Sequence, residues 1–252
     1  DHEMTAEFLR PKSGSEVEVI DPDGDRQEIR LLIKGYENKN NGNNEENGEG
    51  PSGTVVDLAE HIFTTLRGQD NLVFANRRMD VERYTDLLKR ISEDRGVPNE
   101  FAAHHGSLSK EIREESERLL KNSKAPATVI CTSTLELGID IGWMDSIGQV
   151  GSPPSVSSLR QRLGRSGRGD NPAVLRAYIQ EPEISDSTPL EDTLRPELVQ
   201  TIAMVNLLLE KWYEPPNLDA LELSTLIQQL LSLIAEHGGI KTKRSEEHTS
   251  EL

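Results

Sequence analysis

One cysteine in 252 residues, Cys131, leaves this chain no internal disulfide framework. Aromatic residues make up only 4% of it. The longest apolar stretches, such as LIQQLLSLIA (226–235), are too short and too interrupted to cross a bilayer. No secretory leader is visible, so a reducing, cytoplasmic setting with no membrane partner is expected. No G-x-x-x-x-G-K-[ST] occurs, so the sequence has no loop built to cradle phosphates. No Asp-Glu pair follows a buried strand to hold Mg²⁺. GSLS (106–109) lacks the spacing of a nucleophile elbow, which argues against a serine hydrolase. His104 and His105 have no Cys, Asp or Glu at ligand spacing, so packing at a strand end is expected of them rather than metal binding.

What is present is unevenly spread. The formal net charge is −16, with 34% hydrophobic and 29% charged residues. Residues 1–66 and 181–252 each carry −9, whereas residues 67–180 carry +2. The acidity therefore sits in the flanks, and the slightly basic middle can meet an anionic ligand without strong repulsion. Within that middle, QRLGRSGR (161–168) packs three arginines into eight residues. Placed on a helix, Gln161, Arg165 and Arg168 share one face at i, i+4 and i+7, and Leu159 and Leu163 anchor the opposite side. Gly164 and Gly167 clear space beside the arginines. A face of permanently charged planar forks suits a polyphosphate.

Strand and helix signals alternate from 54 to 180. Val55, Leu58, Ile62 and Leu66 have helical spacing, and NLVFA (71–75) is a short buried strand. A helix is predicted over 79–93, then FAAHH (101–105) as a strand. A helix over 109–121 is expected to turn Leu108, Ile112 and Leu119 inward. ATVICT (127–132) is a strand apolar on both faces, SIGQV (146–150) another, and AVLRAYIQ (173–180) the last. The pattern predicts an α/β fold, a mostly parallel sheet flanked by helices, with ligands at the carboxyl ends of the strands. Two β-rich runs around Asp-Pro-Asp-Gly (16–33) signal a hairpin. Residues 37–53, rich in Asn, Glu and Gly, read as a disordered linker. Residues 181–243 read as a helical extension, with Trp212 and Tyr213 in its core. Cys131 is expected to pack inside; for Trp143 packing and base-stacking are both open, with packing favoured. The last nine residues, RSEEHTSEL, resemble a translated sequencing adapter. With Asp1 as the first residue, they suggest a fragment without its native termini.

In this order and spacing, LVFANRR (72–78), TVICTSTLELGIDIG (128–142) and QRLGRSGR resemble motifs IV, V and VI of superfamily 2 helicases. HHGSLS (104–109) and QVGSPPSVSSL (149–159) bring the resemblance nearest to the large helicase-related, or Lhr, family. The resemblance implies a RecA-like C-terminal lobe at 54–180, residues 1–36 as the end of the first lobe and a connector, and a truncated extension after 180. It implies ATP and Mg²⁺ as cofactors, both held mainly by an N-terminal lobe expected upstream of residue 1. It makes Arg165 and Arg168 arginine fingers, Gln161 their orienting partner, and Asp140 a ribose contact beside Gly138. Asn76, Arg77, Arg78, Gly106, Thr132 and Ser133 then face a nucleic-acid backbone, single-stranded DNA or an RNA/DNA hybrid. At the position of Arg77 the family usually carries a small hydroxyl residue. The function implied is that of an ATP-dependent helicase or translocase, inactive as this piece alone. The alternatives are a non-catalytic nucleic-acid-binding module, or the motor of an RNA-remodelling or restriction system.

Overall fold

The computed structural model describes residues 5–7, 10, 12–18, 28–38, 53–121, 125–137, 139–167, 171–215 and 223–238. Six strands form one sheet: β1 (Ile29–Asn38), β2 (Asn71–Ala75), β3 (Phe101–His104), β4 (Thr128–Cys131), β5 (Ser146–Val150) and β6 (Ala173–Pro182). Their order is β1-β6-β5-β2-β4-β3, and every pair is parallel. The predicted parallel α/β architecture is what the chain adopts. Ile29–Asn38, whose first half is the second run of the expected hairpin, pairs along its whole length with β6. The Asp-Pro-Asp-Gly turn lies outside the described residues, as do 39–52 and the terminal nine residues.

Two helices cover one face: α1 (Gly53–Leu66) and α2 (Arg78–Asp94). Alternation along β2 explains how both faces are filled. Val73 and Ala75 point into a core with Leu58, Ile62, Leu66, Tyr84 and Leu88. Leu72 and Phe74 point into a second core. That core is closed by Leu159 and Leu163 of α4 (Val156–Leu163) and by Val205 and Leu208 of α6 (Pro196–Leu209). Helix α3 (Lys110–Lys121) joins β3 to β4, and a one-turn helix α5 (Leu190–Thr193) stands between α4 and α6.

Two expectations about the inner faces fail. On α3 the buried side chains are Ser116 and Leu120, while Ile112 is 52% exposed and Leu119 40%. Among the described residues β3 is the last strand of the sheet, and none of them lies beyond it to cover the outer half of the helix above it. Trp212 and Tyr213, expected in a core, are exposed at the end of their segment.

Packing divides the chain at Tyr213, and the second unit, from Glu214 on, contains one described helix, α7 (Leu223–His237). Among the described residues no helix is long and apolar enough to cross a membrane.

Candidate functional site

Six of the predicted site residues fall on one edge of the sheet, at the carboxyl ends of adjacent strands. Asn76 follows β2 and donates through Nδ2 to the Ser152 carbonyl at 2.8 Å. Arg77 is the N-cap of α2, its carbonyl accepting the Asp80 and Val81 amides. Arg78 opens that helix and donates to the Ser107 hydroxyl. Gly106 lies in the turn after β3, where an added Cβ would meet nothing within 4 Å. Thr132 follows β4, its amide donating to the His104 carbonyl at 3.2 Å. Its hydroxyl is not spent on capping the single 3₁₀ turn of Ser133–Leu135 that it precedes. Ser133 is exposed. Helix amides, hydroxyls and arginines on one edge are donors suited to phosphate oxygens.

The remaining described candidates lie at the opposite edge, which corrects the expectation that every motif sits at the carboxyl ends. From Glu136 the chain crosses back to enter β5 from its amino end. Asp140 is exposed there. Together with Gly142, Trp143, Asp145 and Gly167 it lines a cavity of about 910 Å³. Asp70 and Pro172, which precede β2 and β6, line it as well and fix which edge it occupies.

Arg165 reaches this edge without being on a helix. α4 ends at Leu163, so Gln161, half-buried on its last turn, and Arg165 do not share a helical face as predicted. The helix stops because the following residues are captured by the neighbouring chain. Met144 donates its amide to the Arg165 carbonyl at 2.8 Å, and Met144 and Ser166 form an isolated parallel bridge. Gly167 then takes a φ of 78°, a left-handed turn that favours glycine. The Arg165 guanidinium donates to the Ile139 carbonyl at 2.9 Å and twice to the Glu136 carbonyl, at 3.1 and 3.3 Å. It therefore clamps the crossing segment rather than projecting from it. Gly138 and Arg168 lie outside the described residues.

Two residues were missed or misjudged. Arg162, the first arginine of the cluster, is 3% exposed on α4. It pairs with Glu136 at 2.9 Å, donates to Gln149 Oε1, and lies 4.7 Å above the Phe74 ring. The signal available was the acid Glu136 amid the apolar residues of the preceding motif and one amide, Gln149, in a strand of otherwise small and apolar residues. Trp143, expected to pack inside, is 53% exposed on the cavity rim.

The amino edge is cross-tied by its own acids. Asp70 donates its amide to Asp145 Oδ2 at 2.9 Å and accepts the Ala127 amide on its carboxylate at 2.9 Å. Burial, with the Asp145 charge adding to it, raises the Asp70 carboxyl above its usual range. His104 spends both ring nitrogens on protein, with Thr134 at 2.8 Å and Glu117 at 3.1 Å, in the packing role expected of it. Among the described residues no group of three or more His, Cys, Asp or Glu is placed to hold a metal ion.

Comparison with known proteins gives this geometry its relatives. Residues 54–170 match the model of the helicase conserved C-terminal domain. The chain is 35% identical over 166 residues to the ATP-dependent helicase Lhr-Core of Sulfolobus acidocaldarius, covering 65% of this chain and 16% of that protein. It is 42% identical over 123 residues to Lhr-Core of Methanothermobacter thermautotrophicus, covering 49% and 14%. The chain thus spans about a sixth of the relatives it matches. Among solved structures it resembles Mycobacterium smegmatis helicase Lhr bound to ssDNA and AMP-PNP. The TM-score there is 0.62 at 29% identity, over 83% of this chain and 25% of that one. Residues 54–170 thus match a helicase C-terminal domain, and the two-edged parallel sheet resembles the RecA-like C-terminal lobe of superfamily 2 helicases of the Lhr type.

Proposed function

We propose that this lobe is the second motor half of an ATP-dependent single-stranded DNA helicase or translocase, with nucleic acid on the carboxyl edge and nucleotide on the amino edge. The observation that carries this reading is the segment 132–145. It begins at Thr132 on one edge, reaches Asp140 on the other, and is held on the way by Arg162 at the Glu136 side chain and by Arg165 at two carbonyls. In this reading a displacement at either edge is passed to the other through this segment, whose described parts, 132–137 and 139–145, are the ones the arginines hold.

In this mechanism Asp140 accepts hydrogen bonds from the ribose hydroxyls. Arg168, and Arg165 when it exchanges a carbonyl for phosphate, stabilise the charge that builds on the transferred phosphoryl oxygens. Such arginines are worth roughly three to five orders of magnitude in rate in phosphoryl transfer. Thr132, Ser133, Asn76, Arg78 and the Gly106 amide grip successive backbone phosphates, contacts that do not read sequence. ATP fits the exposed acid and cavity of the amino edge. Mg²⁺, which bridges phosphate oxygens in such reactions, does not fit the described residues and belongs in this reading to a P-loop lobe these 252 residues do not contain.

The test is the ATPase of the longer protein this reading requires, with and without single-stranded DNA, comparing wild type with Arg168→Ala. Strand-stimulated hydrolysis that collapses in the variant supports the motor. One observation favours the alternative of a non-catalytic binding module: each of the three guanidinium nitrogens of Arg165 already donates to a backbone carbonyl. Intact strand binding with no hydrolysis in either protein would establish that module and refute the motor. Stimulation by an RNA/DNA hybrid in preference to single-stranded DNA would move the substrate to the hybrid.

A further inference from the structure

The sheet order sets the carboxyl ends of β5, β2, β4 and β3 in a row. Three of these ends carry candidate phosphate contacts: Asn76 at β2, Thr132 at β4 and Gly106 at β3. The fourth, Gly151–Ser152 at β5, is next in line beside Asn76, about 4.8 Å away by strand spacing, and no motif assigns it a role.

Its backbone is shaped and fixed. Gly151 has φ of 76° and donates its amide to the Tyr178 carbonyl at 2.9 Å. Gln149 Nε2 donates to the Val150 and Gly151 carbonyls, each at 3.1 Å, and Asn76 Nδ2 to the Ser152 carbonyl at 2.8 Å. The carbonyls of this turn are thus held by protein donors.

An anion already sits here. A Cβ added at Gly151 would lie 3.2 Å from Asn76 Nδ2 and 3.9 Å from Glu197 Oε2, so amide and carboxylate flank the glycine. Glu197 comes from the first turn of α6. Burial and the neighbouring Glu181 together raise its carboxyl above the ordinary range, against the smaller opposing effects of the Arg77 guanidinium and the Ser152 amide. The Asn76 amide and the Gly151–Ser152 backbone beside one carboxylate, with the Arg77 charge acting on it, form the donor set of a phosphate site.

Glu197 is not needed to start its helix. The Leu198 amide is taken at 2.8 Å by Glu181, so the carboxylate of Glu197 is free to leave without uncapping α6.

We propose that Gly151–Ser152, Asn76 and Arg77 form a further subsite for a nucleic-acid backbone phosphate, and that Glu197 fills this subsite until a phosphate displaces it. The proposal rests on the carboxyl edge being the nucleic-acid face. It accounts for an acid standing beside Gly151, in the middle of an edge otherwise made of donors.

The experiment is fluorescence anisotropy of the 252-residue chain with a labelled oligo-dT, titrated at several salt concentrations. Glu197→Gln keeps the shape and removes the charge. It is expected to tighten binding by about fivefold, the scale of one surface charge pair. The salt dependence should steepen by about 0.7 in log–log slope, the increment for one more phosphate contact on a single strand.

Arg77→Ala is then combined with it. In the Glu197→Gln background the loss of Arg77 should cost clearly more than in wild type, because only there is Arg77 released to the phosphate. Unchanged affinity and slope in Glu197→Gln, or strict additivity of the two substitutions, overturns the subsite while leaving the nucleic-acid reading intact. If neither protein binds the strand, although both melt cooperatively, the nucleic-acid face itself is wrong and the subsite falls with it.

Discussion

Arg162 and Glu136 form a buried ion pair at 2.9 Å, with their side chains 3% and 12% exposed, between α4 and the segment that crosses from one edge of the sheet to the other. A buried pair of this kind adds little net stability over an apolar substitute, but an unpaired survivor is costly. Arg162→Met leaves Glu136 without its cation, and Glu136→Met leaves the guanidinium with Gln149 and the Phe74 ring alone. Either single change should destabilise the lobe by roughly 3–5 kcal/mol. The double substitution should recover most of that loss. Urea denaturation of the four proteins measures it, and equal stability of the singles and wild type would remove the pair from the account.

Cys131 offers an independent reading of global opening. It is fully buried in β4, and burial pushes its thiol far above the ordinary range. Only the thiolate reacts with alkylating agents, so the native chain should resist iodoacetamide at pH 8 while the unfolded chain reacts at the rate of a free thiol. The alkylation rate should therefore track denaturant-induced opening. Rapid modification of the native chain would contradict the burial.

How much of this was visible in the sequence depends on how local each signal was. The helical spacing of Val55, Leu58, Ile62 and Leu66 and the apolar run of 128–131 needed only neighbours in the chain, and both fold as read. The contacts of Arg162 did not, because its partners lie 26 and 13 residues away and are joined only when α4 packs on the sheet. The inward side of α3 was misread for a related reason. Periodicity shows that a helix is amphipathic, but the edge position of β3 decides how wide a face is covered. The division of site residues between two edges was also hidden. Thr132 and Asp140 are eight residues apart in one motif, and only the parallel sheet sends them to opposite ends.

His61 gives a pH dependence with a definite sign. Its Nδ1 lies 2.6 Å from Lys34 Nζ, and its ring packs edge-on to Tyr36 and Tyr178. Burial, then the charges of Lys34 and Arg176, lower its pKa below the ordinary imidazole value. The folded state thus binds a proton less readily than the unfolded state. The stability this neutral imidazole contributes is complete above the unfolded pKa, near 6.5, and is lost as pH falls from there toward the depressed folded value. The melting temperature should drop between pH 7.5 and 5.5, and His61→Gln should shrink that drop. A drop of the same size in the variant would assign the effect to other groups.

The clamp made by Arg165 predicts that its charge alone is not enough. Three guanidinium nitrogens hold the carbonyls of Glu136 and Ile139, and a lysine ammonium has no planar fork to span both. Arg165→Lys should therefore loosen the segment nearly as much as Arg165→Ala. Hydrogen bonds to a charged group are worth about 1.5–3 kcal/mol each, so losing two should speed local opening by at least about tenfold. The amides to watch are Glu136, which donates to the Ser133 carbonyl, and Met144, which donates to that of Arg165. Hydrogen exchange at these two positions should accelerate while that of Val73 and Ile147, in the central strands, is unchanged. Because Thr132 and Ser133 begin the same segment, strand affinity at the opposite edge should weaken as well. Faster exchange with undiminished strand affinity would mean that the clamp serves the amino edge alone and that the two edges are not coupled through it.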